Sequence, residues 1–316
     1  MIDAETKAEK FLLDCMDGGL ARSWDLKTSS WVKPYPEVTG YVISTLSARL
    51  GSESVRILGS SVDALLARQQ DCGGWSSFAG RECYTFDTAQ ISKGLLDFNS
   101  FTGDKTIETS IHRAASFLMD RVLENGAIFP VYNPATKVSI ARRGGWGAGF
   151  TSINVKVLEF LVAYNESFPR KLITEKIKSI RSWGLGLTQL PETHPGAYFL
   201  EGMVAVGELD FVEKRLKDTF LPRVQANGFI DYFPGASHAY MSGSIQLGIL
   251  FQRIELTDVA QQIWDFASRA QNLTQTGGIP QYVGPDCTLN QDVHEEVNSW
   301  GTKYFLELAD VLGAGR

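Results

Sequence analysis

The chain has 316 residues, 44% hydrophobic and 21% charged, an ordinary globular composition that excludes a disordered chain, a collagen and a coiled-coil rod. With 30 Lys and Arg against 36 Asp and Glu, its formal charge of −6 has the wrong sign for a general nucleic-acid binder. No stretch approaches the roughly 18 apolar residues that span a bilayer, and MIDAETKAEKFLLDCMDGG has no basic segment leading into an apolar run. A cytoplasmic protein is expected, with Cys15, Cys72, Cys83 and Cys287 reduced, although Cys72 and Cys83 can approach across a loop.

In chain order the sequence repeats one unit: a charged amphipathic helix, a loop rich in glycine and aromatics, and a helix with few charges. The spacing predicts the first helices over 4–17, 54–69, 106–123, 170–183, 209–225 and 256–271. In the fifth, LDFVEKRLKDTFLPRV, apolar residues recur at helical spacing and the other face is charged. The second helices begin near Val38, Asp87, Thr151, Ala197, Ser242 and Glu296, about 50 residues apart, near the upper end for helical repeats. GYVISTLSARL, AYFLEGMVAVGEL and SGSIQLGILF are apolar or small nearly all round, as in a helix buried on every side. Six such hairpins predict an all-α (α/α)6 toroid, one domain over 1–316, with inner helices lining a central cavity. The broad apolar face of the last inner helix favours a closed ring over an open solenoid with polar caps. The loops share a pattern too: Gln69 to Trp75, Glu124 to Phe129, Gln225 to Ile230 and Gln275 to Pro280 each carry glycine just past a helix. Positive φ and loop architecture explain that glycine.

These residues carry a resemblance. Gln69-Gln70-Asp71-Cys72-Gly73-Gly74-Trp75 is similar to the QxxxGxW pattern of squalene and hopene cyclases, and Asp87-Thr88-Ala89 resembles the end of the DxDDTA motif of class II terpene cyclases. Both families belong to the α/α-toroid superfamily, which includes six-hairpin glycosidases, uronate lyases and prenyltransferase β-subunits. The chain resembles more closely uncharacterised bacterial toroid proteins of polysaccharide gene clusters, through segments like Tyr35 to Tyr41 and Asn298 to Tyr304. The departures count. Phe86 stands where a class II cyclase carries its catalytic Asp, and phenylalanine cannot protonate an alkene. A prenyltransferase-like zinc site has only Asp286, Cys287 and His294 to draw on, so no metal is assigned. No nucleotide or redox motif is present, and no cofactor is implied.

In a toroid the starts of the inner helices converge on one mouth. They supply Glu37; Asp87 and Gln90; Thr151 and Asn154; Glu201; His238, Tyr240 and Ser242; and Asp292, His294, Glu295, Glu296 and Asn298. Carboxylates in apolar surroundings gain raised pKa values and serve as acids, and histidine is the commonest base. Helix capping explains Glu37 and Asp87 equally well. Glu37, Asp87, His238 and Tyr240 are the expected catalytic residues. Trp31, Arg142, Arg143, Trp146, Asn154 and Glu295 are the expected substrate contacts, with arginine for a carboxylate and tryptophan for a sugar face. The leading expectation is a carbohydrate-active enzyme of bacterial polysaccharide biosynthesis or modification, a lyase, epimerase or glycoside hydrolase, working on an anionic, uronate-type sugar. A terpenoid cyclase-like or isoprenoid-binding protein and a non-catalytic glycan- or protein-binding toroid stay open beside it.

Overall fold

The computed structural model describes residues 3–16, 19–76, 80–141, 151–187, 191–289 and 296–313. The amphipathic segments become the outer helices α1 (Ala4–Cys15), α3 (Ser54–Leu66), α5 (Lys105–Met119), α7 (Lys171–Leu185), α9 (Leu209–Arg215) and α11 (Thr257–Gln271). The low-charge segments become the inner helices α2 (Pro36–Leu50), α4 (Thr85–Thr102), α6 (Val157–Ser167), α8 (Thr193–Ala205), α10 (Met241–Arg253) and α12 (Ser299–Leu312). Each inner helix packs on the next, and α12 packs on both α2 and α1, so the six hairpins form a closed ring. Every residue of α10 from Met241 to Phe251 is buried, whereas α5 buries only a stripe including Ile107, Ile111, Ala114 and Leu118.

Helix ends follow local chemistry. Asp3 and Asp104 cap α1 and α5 through backbone N–H groups of Thr6, Thr106 and Ile107. Two starts differ from the sequence expectation. α8 begins at Thr193, taking His194 and Pro195 into its first turn, where a proline's missing N–H costs nothing. The third inner segment opens as a 3-10 turn, Ser152–Lys156, before α6. α9 stops at Arg215 and continues through a π turn (Leu216–Phe220) and a 3-10 turn (Leu221–Arg223), because Pro222 cannot donate to the helical ladder.

One joint repeats around the ring. Gly73, Gly126, Gly228 and Gly277 have φ of 91°, 86°, 86° and 85°. A Cβ there would lie 2.4, 2.0, 1.9 and 2.7 Å from the carbonyl oxygens of Arg113, Ser179, Gln262 and Lys7, each on the next outer helix. Glycine is required on both counts. The last contact runs from the sixth hairpin to the first, so the ring closes through the joint it uses internally. Gln69 Nε2 bonds the carbonyls of Gly73 and Ser110, and Gln271 Nε2 those of Gly277 and Ala4, which makes the glutamine a staple between hairpins. Trp75 is fully buried, its indole N–H on Leu65 O at 2.8 Å. Loop N–H groups of Ala21, Trp75 and Ile279 donate to Thr39, Thr88 and Thr302 in the first turns of α2, α4 and α12.

Short strands tie the long loops together over the N-terminal ends of the inner helices. They are β1 (Trp24–Asp25), β2 (Ser30–Trp31), β3 (Cys83–Tyr84), β4 (Val131–Asn133), β5 (Val138–Ile140), β6 (Ala239–Tyr240), β7 (Ile279–Pro280), β8 (Tyr282–Val283) and β9 (Glu296–Asn298). They form antiparallel sheets of order β2-β1-β9-β7, β3-β4-β5 and β6-β8, the first of which joins the first loop to the last. No helix of the described residues is long and apolar enough to cross a membrane.

Candidate active site

The inner-helix N-termini surround a cavity of about 280 Å³ lined by Glu37, His194 and an aromatic wall that includes Tyr35, Tyr198, Tyr240 and Trp300. Glu37 and Asp87 lie in the first turns of the neighbouring helices α2 and α4 and are 7% and 6% exposed. Tyr35 links them: its hydroxyl donates to Asp87 Oδ2 at 3.4 Å, and it lines the cavity beside Glu37. Burial pushes the Asp87 carboxyl up to about 7, against the hydrogen bond from Tyr35. Burial also raises Glu37 well above the carboxylate range, and the charge of Asp87 raises it further. Two buried carboxylates that feel each other resist being ionised together.

His194 is 2% exposed and packs between Tyr198 and Tyr240, with ring centroids 4.3 and 4.8 Å away. Burial lowers its pKa to about 3, so the ring is neutral. Its tautomer follows from a chain of partners. Lys156 Nζ bonds Glu201 Oε2 at 2.7 Å, and Gln246 Nε2 donates to the same oxygen at 2.9 Å. The Gln246 amide therefore turns Oε1 toward His194 Nδ1, 2.5 Å away. An oxygen facing Nδ1 requires the proton on Nδ1 and makes Nε2 an acceptor. The Tyr240 oxygen accepts from Trp300 Nε1 at 3.2 Å and Gln281 Nε2 at 3.4 Å, and burial raises its pKa, so it is a neutral hydroxyl at the cavity wall.

Tyr41, Tyr198 and Tyr304, with centroids 6.0 to 6.4 Å apart, form a layer beneath this cavity. On their far side a second chamber, about 550 Å³, opens among the later turns of the inner helices. It is lined by Lys93, Lys156, Glu159, Glu201, Lys303 and Glu307, among others. Lys93 pairs with Asp97, Lys303 with Glu307, and Lys156 with both Glu159 and Glu201. Glu159 is held below the usual carboxylate range: burial is its largest influence and acts upward, but the Lys156 charge and hydrogen bond outweigh it. Burial and the Glu159 charge push Glu201 up to about 7, even against Lys156.

Of the residues expected from sequence, Glu37 and Tyr240 line this cavity, and Asp87, outside the lining, joins them through its hydrogen bond from Tyr35. The other expected residues sit elsewhere. His238 lies on the rim among Tyr232, Phe233 and Tyr282, outside the cavity lining. Asn154 is fully buried in the 3-10 turn before α6, and it too lies outside the lining. Trp31 pairs with Trp24 across β1–β2 and packs on Phe11, which turns it into an outer groove at the seam between α1 and the 272–277 loop. Arg142, Arg143, Trp146 and Glu295 lie outside the described residues, as does His294 of the trio considered for zinc. Among the described residues no group of three His, Cys, Asp or Glu side chains could hold a metal. Sequence reasoning missed Tyr35, Tyr198, Gln246 and Lys156.

No known family profile matches the chain, and no curated protein matches it. Solved structures do. A cellobiose 2-epimerase from Spirochaeta thermophila DSM 6192 superposes with TM-score 0.75 at 13% identity, over 96% of this chain and 93% of that one. A sugar epimerase from a ruminal bacterium gives 0.74 at 10% identity, over 98% and 96%. An unsaturated glucuronyl hydrolase specific for heparin gives 0.70 at 13% identity, over 98% and 97%. At these identities the comparison establishes the fold: the chain is a six-hairpin α/α toroid.

Proposed function

We propose that the protein is a carbohydrate-active enzyme, one toroid domain that handles an anionic, uronate-type sugar by acid–base chemistry at the inner-helix N-termini. The observation that carries this reading is the Glu37–Asp87 pair, buried against Tyr35 beside an aromatic cavity, with both pKa values raised by burial and that of Asp87 brought to about 7. A buried carboxyl whose pKa is raised can serve as a general acid, and a partner titrating near 7 can take the proton back. The Tyr240 hydroxyl offers a donor to sugar hydroxyls, and the tyrosine rings offer faces for stacking. The converging helix N-termini favour a negative group, which supports an acidic sugar over a neutral one. Carboxyls, imidazole and phenol hydroxyls around the cavity favour a polyol over an isoprenoid chain. Solved structures of this fold include an unsaturated glucuronyl hydrolase specific for heparin and a cellobiose 2-epimerase.

The test is turnover on a panel of uronides, neutral disaccharides and isoprenoid diphosphates. Turnover is expected with a uronide, falling by about 10²–10⁴-fold in Glu37→Gln, the range for one acid–base group. Unfolding of that variant should show it still folded. Uronide binding without turnover would transfer the protein to the non-catalytic class, and turnover that survives Glu37→Gln would remove the proposed acid.

A further inference from the structure

The cavity chemistry leaves one reactive cluster unused. Cys72, in the turn after α3, and Cys83, at the start of β3, hold their sulfurs 3.6 Å apart as free thiols. Cys72 is partly exposed and Cys83 is fully buried. Arg121, 7% exposed, lies with its guanidinium 4.2 Å from the Phe117 ring centre and 4.0 Å from that of Tyr132. Tyr132 is the residue paired with Cys83 across β3–β4. The Arg121 Nε is buried without a hydrogen-bond partner, and its contact with Asp120 is a loose 3.9 Å to a carboxylate that is 71% exposed. A buried cation so weakly matched is stabilised by a second anion beside it, and a thiolate next to arginine meets that need.

The two sulfurs divide the work. The hydrogen bond from the Cys83 thiol is the largest influence on Cys72 and, with Arg121 helping against burial, brings its pKa down to about 6. The same bond and burial raise Cys83, which keeps its proton. One accessible thiolate beside one buried thiol is the arrangement of an attacking and a resolving cysteine.

We propose that Cys72 and Cys83 form a reversible dithiol–disulfide site that reacts with low-molecular-weight disulfides. The Cys72 thiolate attacks one sulfur of the small disulfide, forms a mixed disulfide and expels the other half as a thiolate. Cys83 then gives up its proton and attacks Cys72 Sγ, which forms the internal bond and expels the second half. The protein thiols lose two electrons and two protons, and the small disulfide becomes two thiols. The new bond joins the turn after α3 to Cys83-Tyr84, the strand that runs straight into α4, and so clamps the segment leading to Asp87. It also removes the anion beside Arg121.

The experiment uses glutathione disulfide as the probe, acid trapping and intact-mass measurement, so it reads the site without any assumption about turnover. Wild type should lose two hydrogens and yield a peptide linked through Cys72 and Cys83. Cys83→Ser should stop at a glutathione adduct on Cys72, and Cys72→Ser should take none at Cys83. In reduced wild type, alkylation of Cys72 should titrate near pH 6 and at pH 7 run severalfold faster than that of Cys287, the lower nucleophilicity of a low-pKa thiolate offsetting part of its greater abundance. A wild-type protein that stays reduced, or that holds a lasting glutathione adduct without closing, overturns the proposal.

Discussion

The two ends of the toroid partner their acidic groups with different side chains. Around the second chamber four partly exposed carboxylates each have a lysine: Asp97 has Lys93, Glu307 has Lys303, and Glu159 and Glu201 share Lys156. At the mouth Glu37 and Asp87 have tyrosine, and their pKa values rise. Lys156 holds Glu159 below the usual carboxylate range, whereas Glu201 on the same lysine rises to about 7, as Asp87 does beside tyrosine. The layer of Tyr41, Tyr198 and Tyr304 divides the two regimes, and the chain from Lys156 through Glu201 and Gln246 to His194 is a polar link between them.

The strongest way to break this comparison is to remove the shared lysine. Lys156 is 3% exposed and serves two carboxylates. Lys156→Met strands both and is expected to cost on the order of 3–5 kcal/mol in denaturant unfolding at pH 8. The loss should shrink as pH falls below about 7, where Glu201 takes up its proton. A variant as stable as wild type at pH 8 would show that the lysine is not what keeps these acids in place.

At the mouth the expected sign reverses. The folded pKa of Asp87, about 7, lies above its ordinary value of 3.8, so the folded state binds more protons between those limits. Stability therefore falls as pH rises from about 4 to 7. Asp87→Asn carries no charge to bury. It is expected to match wild type near pH 4 and exceed it by on the order of 2–4 kcal/mol at pH 8. If Asp87 is only a helix cap, the variant will be less stable at both pH values.

The regions differ too in how far they could be read from sequence. The alternation of charged and uncharged helices gave the six hairpins, because burial on one face or on all faces is written into local composition. Gly73, Gly126, Gly228 and Gly277 were legible as loop joints for the same reason. Glu37 and Asp87 were legible as residues at inner-helix starts, a property of position. His194 was not, because its tautomer depends on Gln246, Glu201 and Lys156, which only ring closure assembles. The lysine pairs passed unread on helices taken as nearly uncharged, although Lys93 with Asp97 and Lys303 with Glu307 stand one turn apart. Trp31 was misplaced because a two-residue strand decides which way its ring faces, and strand register is not a local signal.

The smallest effect belongs to the seam, where the rule of paired charge meets solvent. Arg49 on α2 reaches Glu5 and Glu9 on α1 at 3.2 and 3.3 Å and Asp310 on α12 at 2.5 Å, with 18% of its side chain exposed. It tethers the first and last hairpins as Lys156 tethers buried acids, but water screens part of each interaction. Arg49→Met should cost about 1 kcal/mol, and raising salt should shrink that cost, since exposed pairs weaken with ionic strength and buried ones do not. The informative measurement is the ratio of the Arg49 and Lys156 losses at low and high salt. If both fall together, burial does not separate the seam from the interior. If the Arg49 loss alone falls, the protection of charge from water sets how much each pair contributes to the closed ring.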